Sequence, residues 1–176
     1  MNMAARFFVF IFIVIAIPLV MALFIRRDYR IERSVVIHKP KEMVFDYVRL
    51  LKHQDDYSKW VMTDQKMKKW YKGTDGTEGF IYGWKGNSEA GEGEQEITKI
   101  TPGEKIDIEV RFLRPFKSIA YTPISLYESA KGETSIKWEC MGTNSYPYNF
   151  MNLFIDRMLG SELDQSLNNL KAILEK

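Results

Sequence analysis

The 176-residue chain has one cysteine and only two histidines. The lone thiol of Cys140 cannot form an intramolecular disulfide, and a thiol-ligated zinc site needs several partners that this sequence lacks. The short motifs of serine hydrolases, zinc proteases, phosphate-binding loops and dinucleotide-binding folds are also missing. We therefore predict neither a metal site nor a cofactor.

The chain also lacks an excess of either charge, since 25 Lys and Arg face 23 Asp and Glu. Residues 1–27 contain Arg6, Arg26 and Arg27 and no acid, so residues 28–176 are close to neutral. Proteins that bind nucleic acids usually present a basic face to the phosphates. The sequence therefore predicts no nucleic-acid partner, and its 45% apolar and 27% charged residues are typical of a globular chain.

One long apolar run begins at Phe7 and ends at Ile25, with no charged or hydrogen-bonding side chain inside it. As a helix at about 1.5 Å per residue it would be roughly 28 Å long, enough to cross a bilayer core. Pro18 is tolerated in such helices. We predict a transmembrane anchor over residues 1–27, followed by one domain over residues 28–176. The alternative is a cleaved signal peptide, whose apolar region usually has about 7 to 15 residues.

Basic residues flank this run unequally, because Arg26, Arg27, Arg30 and Arg33 follow it and only Arg6 precedes it. Flanks rich in Lys and Arg stay on the cytoplasmic side of a membrane. We therefore expect a single-pass membrane protein with its domain in the cytoplasm.

Residues 28–176 show a strand, two short helical stretches, several strands and a final helix. The first strand is expected at 29–37, a helix beginning at Pro40 follows it, and a short helical stretch covers 51–60. Further strands are predicted at 67–71, 79–85, 93–100, 105–113, 119–128 and 134–141, because Gly and Pro interrupt the chain about every ten residues. Apolar residues spaced by three and four predict a helix over 148–174 with one buried face.

This order of elements and several short segments resemble the SRPBCC superfamily, which includes START-like and polyketide cyclase/dehydrase-type proteins. The resemblance covers residues 29–175. The segments that carry it include YRIERS at 29–34, Lys39-Pro40, Val44-Phe45, Trp60, YGW at 82–84, residues 91–97, FLRPF at 112–116 and residues 134–138.

The resemblance implies an α+β helix-grip fold, in which a curved antiparallel sheet wraps around a long C-terminal helix. An apolar cavity lies between sheet and helix in this family. Most members bind a hydrophobic small molecule or lipid, and a minority use the cavity for cyclisation or dehydration. The predicted membrane anchor is a departure from the minimal domain.

Aromatic side chains on the sheet, opposite the final helix, are candidates for lining such a cavity, because small-molecule sites are concave and mostly apolar. Ordinary core packing is the alternative for each of them alone. The candidate ligand-binding residues are Trp60, Phe80, Tyr82, Trp84, Phe112, Trp138, Phe154 and Met158.

Catalytic residues are not identified by the sequence. His38 and His53 lie in polar stretches that favour solvent-exposed positions. Glu92, Glu94 and Glu96 share one strand face, which suits either paired carboxylates for acid–base chemistry or the exposed face of an antiparallel strand. Arg111 and Arg114 also allow two interpretations, as anchors for a ligand head group or as surface charges.

We therefore predict a membrane-anchored domain that binds a hydrophobic small molecule or lipid. One alternative is a cyclase- or dehydratase-like enzyme, which needs an ionisable group in a perturbed environment inside the cavity. The other is a protein-interaction module, which would have a filled core and an exposed apolar patch of several hundred Å².

Overall fold

The computed structural model describes residues 3–176. Residues 1 and 2 of the predicted N-terminal segment lie outside this part. The helices are α1 (Met3–Ala22), α2 (Lys41–Val48), α3 (Gln54–Tyr57), α4 (Lys59–Met62), α5 (Asn152–Ile155) and α6 (Ser161–Leu174). The strands are β1 (Asp28–Ile37), β2 (Lys68–Lys72), β3 (Ile81–Lys85), β4 (Glu92–Thr101), β5 (Lys105–Arg114), β6 (Ser118–Tyr121), β7 (Ile124–Ala130) and β8 (Glu133–Thr143).

The eight strands of the described residues form one antiparallel sheet in the order β1-β8-β6-β5-β4-β3-β2, with β7 paired to β5 and β8. Helix α6 packs against β1, α3 and α4. Leu167 and Leu170 of α6 are buried in the same core as Ile97 and Ile108 of the sheet. This arrangement of a curved sheet and a C-terminal helix confirms the predicted α+β architecture.

Strand β5 shows how the sequence divides the two faces of the sheet, because successive side chains of a strand point to opposite sides. Val110 is buried, whereas the neighbouring Arg111 makes ion pairs on the other face. The Arg111 guanidinium donates to Glu96 at 2.7 Å, to Glu109 at 2.9 Å and to Glu94 at 3.4 Å. Glu94 and Glu96 therefore belong to the outer face of the sheet, and Arg111 is a surface charge that balances them.

The single strand expected at 119–128 is divided into β6 and β7 by Pro123. Proline has no backbone N–H, so it cannot donate to a sheet ladder. Its carbonyl is still used, since it accepts a 3.1 Å bond from the backbone N–H of Glu139. The break lets β6 pair with one half of β5 and β7 with the other.

The helix predicted over 148–174 is helical throughout, but its hydrogen-bond spacing changes along its length. A 3-10 turn (Tyr148–Met151) precedes α5, and a π-helical turn (Asp156–Gly160) joins α5 to α6. The Arg33 guanidinium packs so tightly on Gly160 that a Cβ there would lie 2.2 Å from its Nη2 atom. Close packing of helix on strand therefore explains Gly160. Arg33 also pairs with Asp164 at 2.9 Å, which ties β1 to α6.

The N-terminal apolar run requires a correction. Within residues 3–176, no helix combines the length and apolar character needed to cross a membrane. The run from Phe7 to Ile25 is not helical to its end. Helix α1 contains Pro18 and ends at Ala22. The predicted transmembrane segment and single-pass membrane localisation are therefore wrong, and the cytoplasmic placement, which depends on the orientation of that segment, loses its basis.

The end of α1 is fixed to the start of the C-terminal helical segment by two asparagine amides. The buried Asn149 Nδ2 donates to the carbonyl oxygens of Ala22 and Ile25. Asn152 Nδ2 donates to the carbonyl oxygens of Arg26 and Arg27, both at 2.9 Å. The bond to Ala22 satisfies a carbonyl group that the end of a helix leaves without a partner, and the other three hold the segment that follows the helix. The division of the chain at residue 27 stays a prediction.

Candidate functional site

A cavity of about 170 Å³ lies between the sheet and the helices. Most of the side chains that line it are apolar or aromatic, which is typical of small-molecule sites. The lining residues are Tyr29, Gln54, Ser58, Trp60, Val61, Met67, Tyr82, Trp84, Gln95, Val110, Phe112, Thr122, Trp138, Cys140, Leu159, Glu162, Leu163 and Ser166.

Five of the eight residues proposed from the sequence lie on this cavity: Trp60, Tyr82, Trp84, Phe112 and Trp138. That these side chains bind a ligand stays a prediction.

The other three proposed residues lie elsewhere. Phe80 is buried but does not line the cavity, and its ring stacks on Tyr71 with centroids 6.3 Å apart. Phe154 and Met158 are about half exposed on the C-terminal helical segment. The irregular helical spacing before residue 161 explains their position, because the prediction assumed one regular helix from residue 148 onwards.

Three aromatic rings from different elements form one wall of the cavity. The ring of Phe112 on β5 contacts Trp60 of α4 and Trp84 of β3 edge to face, at centroid distances of 6.1 and 5.9 Å. Trp84 Nε1 donates a 2.9 Å hydrogen bond to the carbonyl oxygen of Ala90. Its ring covers Gly93, where a Cβ would lie 2.7 Å from the indole. The position of Trp84 is therefore set by both a hydrogen bond and a close glycine contact.

A polar connection ties the cavity to helix α3. The phenol of the buried Tyr82 donates to Asp55 Oδ1, and Lys69 Nζ lies 2.8 Å from Asp55 Oδ2. Burial, followed by the hydrogen bond to Asp55, raises the pKa of Tyr82 well above its usual range. The phenol is therefore neutral and occupied as a donor, so it is not a free base.

The side chains of Tyr29 on β1 and Cys140 on β8 interact at another part of the lining. Burial raises the pKa of the Cys140 thiol to about 11 and, together with the effect of Cys140, raises the pKa of Tyr29 to about 12. The Tyr29 ring covers Gly142, where a Cβ would lie 2.5 Å from the phenol oxygen. Both groups are neutral near pH 7, so neither is an activated nucleophile.

Four buried polar atoms of the lining have no hydrogen-bond partner among the described residues. Three are N–H donors: Gln54 Nε2, Trp60 Nε1 and Trp138 Nε1. The fourth is an acceptor, the Oε2 atom of Glu162. An unpaired buried polar group costs about 1 to 3 kcal/mol, so these four atoms are positions on the lining where a partner would be stabilising.

A wider outer cleft of about 640 Å³ lies beside the cavity. Three residues line both spaces, namely Trp60, Leu159 and Glu162, so they lie between the cavity and the cleft. Leu159 belongs to the π-helical turn, and turns of this kind often occur at functional sites.

The polar lining residues were not identified from the sequence. Gln54 stands in a polar stretch beside His53 and Asp55, and nothing local distinguishes it. One signal was available for the final helix, because Leu159, Glu162 and Ser166 are spaced by three and four residues and share a face. That pattern would have placed a carboxylate on the buried side of the helix.

Both histidines lie away from the cavity lining. His38 Nδ1 is 3.0 Å from Glu133 Oε1 at an exposed position. His53 stacks on Tyr47 and its Nδ1 lies 2.9 Å from the Tyr47 carbonyl oxygen. Within residues 3–176, no group of three or more His, Cys, Asp or Glu side chains is placed to hold a metal ion.

No protein-family model matches the chain, and no curated protein matches it with significance. Solved structures do. Norcoclaurine synthase from Thalictrum flavum aligns with a TM-score of 0.64 and 10% identity, over 83% of this chain and 86% of that chain. Ara h 8.0201 aligns with a TM-score of 0.55 and 12% identity, over 84% of this chain and 97% of that chain.

A third similar structure is DynU16, a protein in the dynemicin biosynthetic locus. It aligns with a TM-score of 0.58 and 12% identity, over 84% of this chain and 47% of that chain. Similarity at these identities concerns the fold alone. The chain has the helix-grip fold.

Proposed function

We propose that the protein binds one small hydrophobic molecule in the cavity between its sheet and helices. The observation that carries this proposal is the cavity itself, which interrupts a core that is otherwise closely packed. Protein interiors rarely contain a void larger than a water molecule, since empty space forfeits dispersion contacts. A cavity of about 170 Å³ lined by six aromatic residues and several aliphatic side chains is therefore a site for an occupant.

The size of the cavity favours a molecule with a single ring. An apolar cavity of about 150 Å³ holds benzene, and sites for drug-sized ligands have about 300 to 1,000 Å³. The observed volume lies close to the first value. A substituted benzene ring therefore fits better than a long-chain molecule among the hydrophobic small molecules and lipids that the sequence suggested.

The outer cleft supplies the route of entry. A ligand that rests in the cleft reaches the cavity past Trp60, Leu159 and Glu162, the residues common to both spaces. Leu159 lies in the π-helical turn, so a small shift of that turn widens the passage.

The two alternative functions have less support. An enzyme needs a reactive ionisable group in the cavity, and Tyr29 and Cys140 are held neutral by burial. Glu162 is the one carboxylate on the lining of the described cavity, so it is the remaining candidate for such a group. A protein-interaction module would have a filled core, and this core contains a cavity.

Filling the cavity tests the proposal. Val110→Phe adds a ring at a lining position, so it should abolish binding of α-methylstyrene, a one-ring hydrocarbon, while the fold is retained. Binding to the full chain is measured by titration calorimetry, and folding by urea denaturation. The control Ile119→Phe enlarges a half-exposed side chain of β6 and should leave the dissociation constant unchanged.

Two results would overturn the proposal. One is an intact chain that does not bind α-methylstyrene up to its solubility limit. The other is a folded Val110→Phe variant that binds this probe as tightly as the unsubstituted chain does.

A further inference from the structure

The cavity is not uniformly apolar, and its unpartnered donors specify more than size. Gln54 is 4% exposed and Trp138 is 7% exposed, yet the Gln54 Nε2 and Trp138 Nε1 donors have no acceptor among the described residues. Both side chains line the cavity. A ligand that fills this space therefore packs against the two side chains that carry these unpaired N–H groups.

The surroundings of these two donors show that each side chain is held in place. Gln54 Oε1 accepts a 3.0 Å hydrogen bond from Gln95 Nε2, which fixes the plane of the Gln54 amide. The Trp138 ring packs edge to face on the buried Tyr57, with centroids 6.0 Å apart. Donors held in this way are preorganised, so an acceptor that meets them does not have to order them first.

Trp84 provides the contrast within the same lining. Its indole nitrogen is satisfied by the carbonyl oxygen of Ala90 at 2.9 Å. Residues 3–176 thus contain a partner for one cavity indole and none for the indoles of Trp60 and Trp138. Because the unpaired donors are limited to particular lining residues, they mark a polar position inside an apolar cavity.

Glu162 adds a constraint of charge. Its buried Oε2 atom has no partner, and the side chain makes no ion pair within residues 3–176. A carboxylate beside the cavity repels an anionic ligand, and that repulsion is strong where water is excluded. Fatty acids and other carboxylates are therefore disfavoured at this site.

We propose that the ligand is a neutral, one-ring molecule with a hydrogen-bond acceptor, such as a carbonyl oxygen, that accepts from Gln54 Nε2 and Trp138 Nε1. This inference rests on the proposed function and specifies the class of ligand. A carbonyl oxygen has two lone pairs, so one such atom has the capacity to accept from two donors.

Three probes of nearly equal shape test the proposal on the full chain. Acetophenone has a carbonyl oxygen, α-methylstyrene has a methylene group in its place, and benzoate has a negative charge. Trp138→Phe should weaken acetophenone relative to α-methylstyrene by about three- to tenfold, since one hydrogen bond is lost. The control Trp84→Phe enlarges the cavity similarly but removes a donor that is already paired, so the ratio of the two dissociation constants should not change.

A spectroscopic measurement on the unsubstituted chain covers the case in which a tryptophan variant does not fold. The four tryptophans give separate indole N–H signals in a two-dimensional NMR spectrum. Acetophenone should shift the Trp138 signal downfield, as a new hydrogen bond does, and α-methylstyrene should not. The Trp84 signal serves as the internal control.

The outcomes separate this inference from the proposed function. If neither neutral probe binds, the proposed function fails. If both probes bind but neither the Trp138 signal nor the ratio of dissociation constants distinguishes them, the inference that the ligand carries a hydrogen-bond acceptor is wrong. The proposal that the cavity binds a hydrophobic molecule then still stands. Benzoate should bind at least about tenfold more weakly than acetophenone, and its affinity should increase in Glu162→Gln. Equal binding of benzoate and acetophenone would refute the inference that the ligand is neutral.

Discussion

The phenol of Tyr82 donates a 2.7 Å hydrogen bond to Oδ1 of Asp55, a residue 27 positions earlier in the chain. The bond joins strand β3 to the short helix α3 across the edge of the cavity. Lys69 binds the other oxygen of the same carboxylate. The carboxylate therefore holds the helical stretch against the sheet at the place where the ligand is expected.

Tyr82→Phe should lower the free energy of unfolding by about 1.5 to 3 kcal/mol, since a hydrogen bond to a charged acceptor is lost at a buried site. Urea denaturation measures this change. Tyr71→Phe is the matched control, because Tyr71 is 42% exposed and its phenol makes no hydrogen bond within the described residues. A similar loss in both variants would contradict the role assigned to Asp55.

Cys140 should react slowly with iodoacetamide in the folded protein. Burial raises the pKa of its thiol from 9.0 to about 11, so at pH 8 its thiolate population is about 100-fold smaller than that of an ordinary thiol. A variant with Cys140→Ser and Ser161→Cys moves the thiol to an exposed helix position and is the control. Equal alkylation rates in the two proteins would show that Cys140 is accessible and unperturbed.

The same pKa predicts how stability changes at alkaline pH. The folded state retains the thiol proton where the unfolded chain releases it, so stability is unaffected below about pH 9 and falls as pH rises through about 11. Urea denaturation at a series of pH values should show this fall. Cys140→Ser removes the titrating group, and its stability should therefore decrease less over the same interval.

Asn149→Ala should release the end of α1 from the C-terminal helical segment. The variant loses hydrogen bonds to Ala22 and Ile25, and the adjacent Arg26 and Arg27 are trypsin sites. Loss of these bonds raises the open population, so cleavage should be about tenfold faster. Mass spectrometry of a limited digest measures the rate at these two sites.

The control for this digestion is Asn168→Ala, which removes an exposed amide that bonds only within α6. Its cleavage rate at Arg26 and Arg27 should equal that of the unsubstituted chain. Acceleration confined to Asn149→Ala supports the attachment of α1, and unchanged cleavage in this variant would contradict it.

Much of the sheet was predictable because a strand places alternate residues on opposite faces. Val110 and Phe112 were assigned to the buried side, and Arg111 to the side that carries charge, from their order alone. The division of 119–128 was missed, although Pro123 is visible in the sequence, because apolar and aromatic residues continue on both sides of it.

The candidate site was predictable only in part. Phe80, Tyr82 and Trp84 have the same parity, but Phe80 precedes the first residue of β3 and packs on Tyr71 outside the cavity lining. The end of α1 was also misjudged, since hydropathy does not show that the helix stops at Ala22, whose carbonyl oxygen accepts from Asn149.

The sequence by itself determined the order of strands and helices and the buried face of most strands, since these follow from spacing within short segments. Only the tertiary structure decided which aromatic side chains surround the cavity and that Glu162 lies at the border with the outer cleft. It also decided that Trp84 has an acceptor in Ala90, while Trp138 has none among the residues that the structure describes. These properties depend on contacts between residues far apart in the chain. Local periodicity does not record such contacts, because the partner of a buried polar atom is chosen by the packing of whole elements.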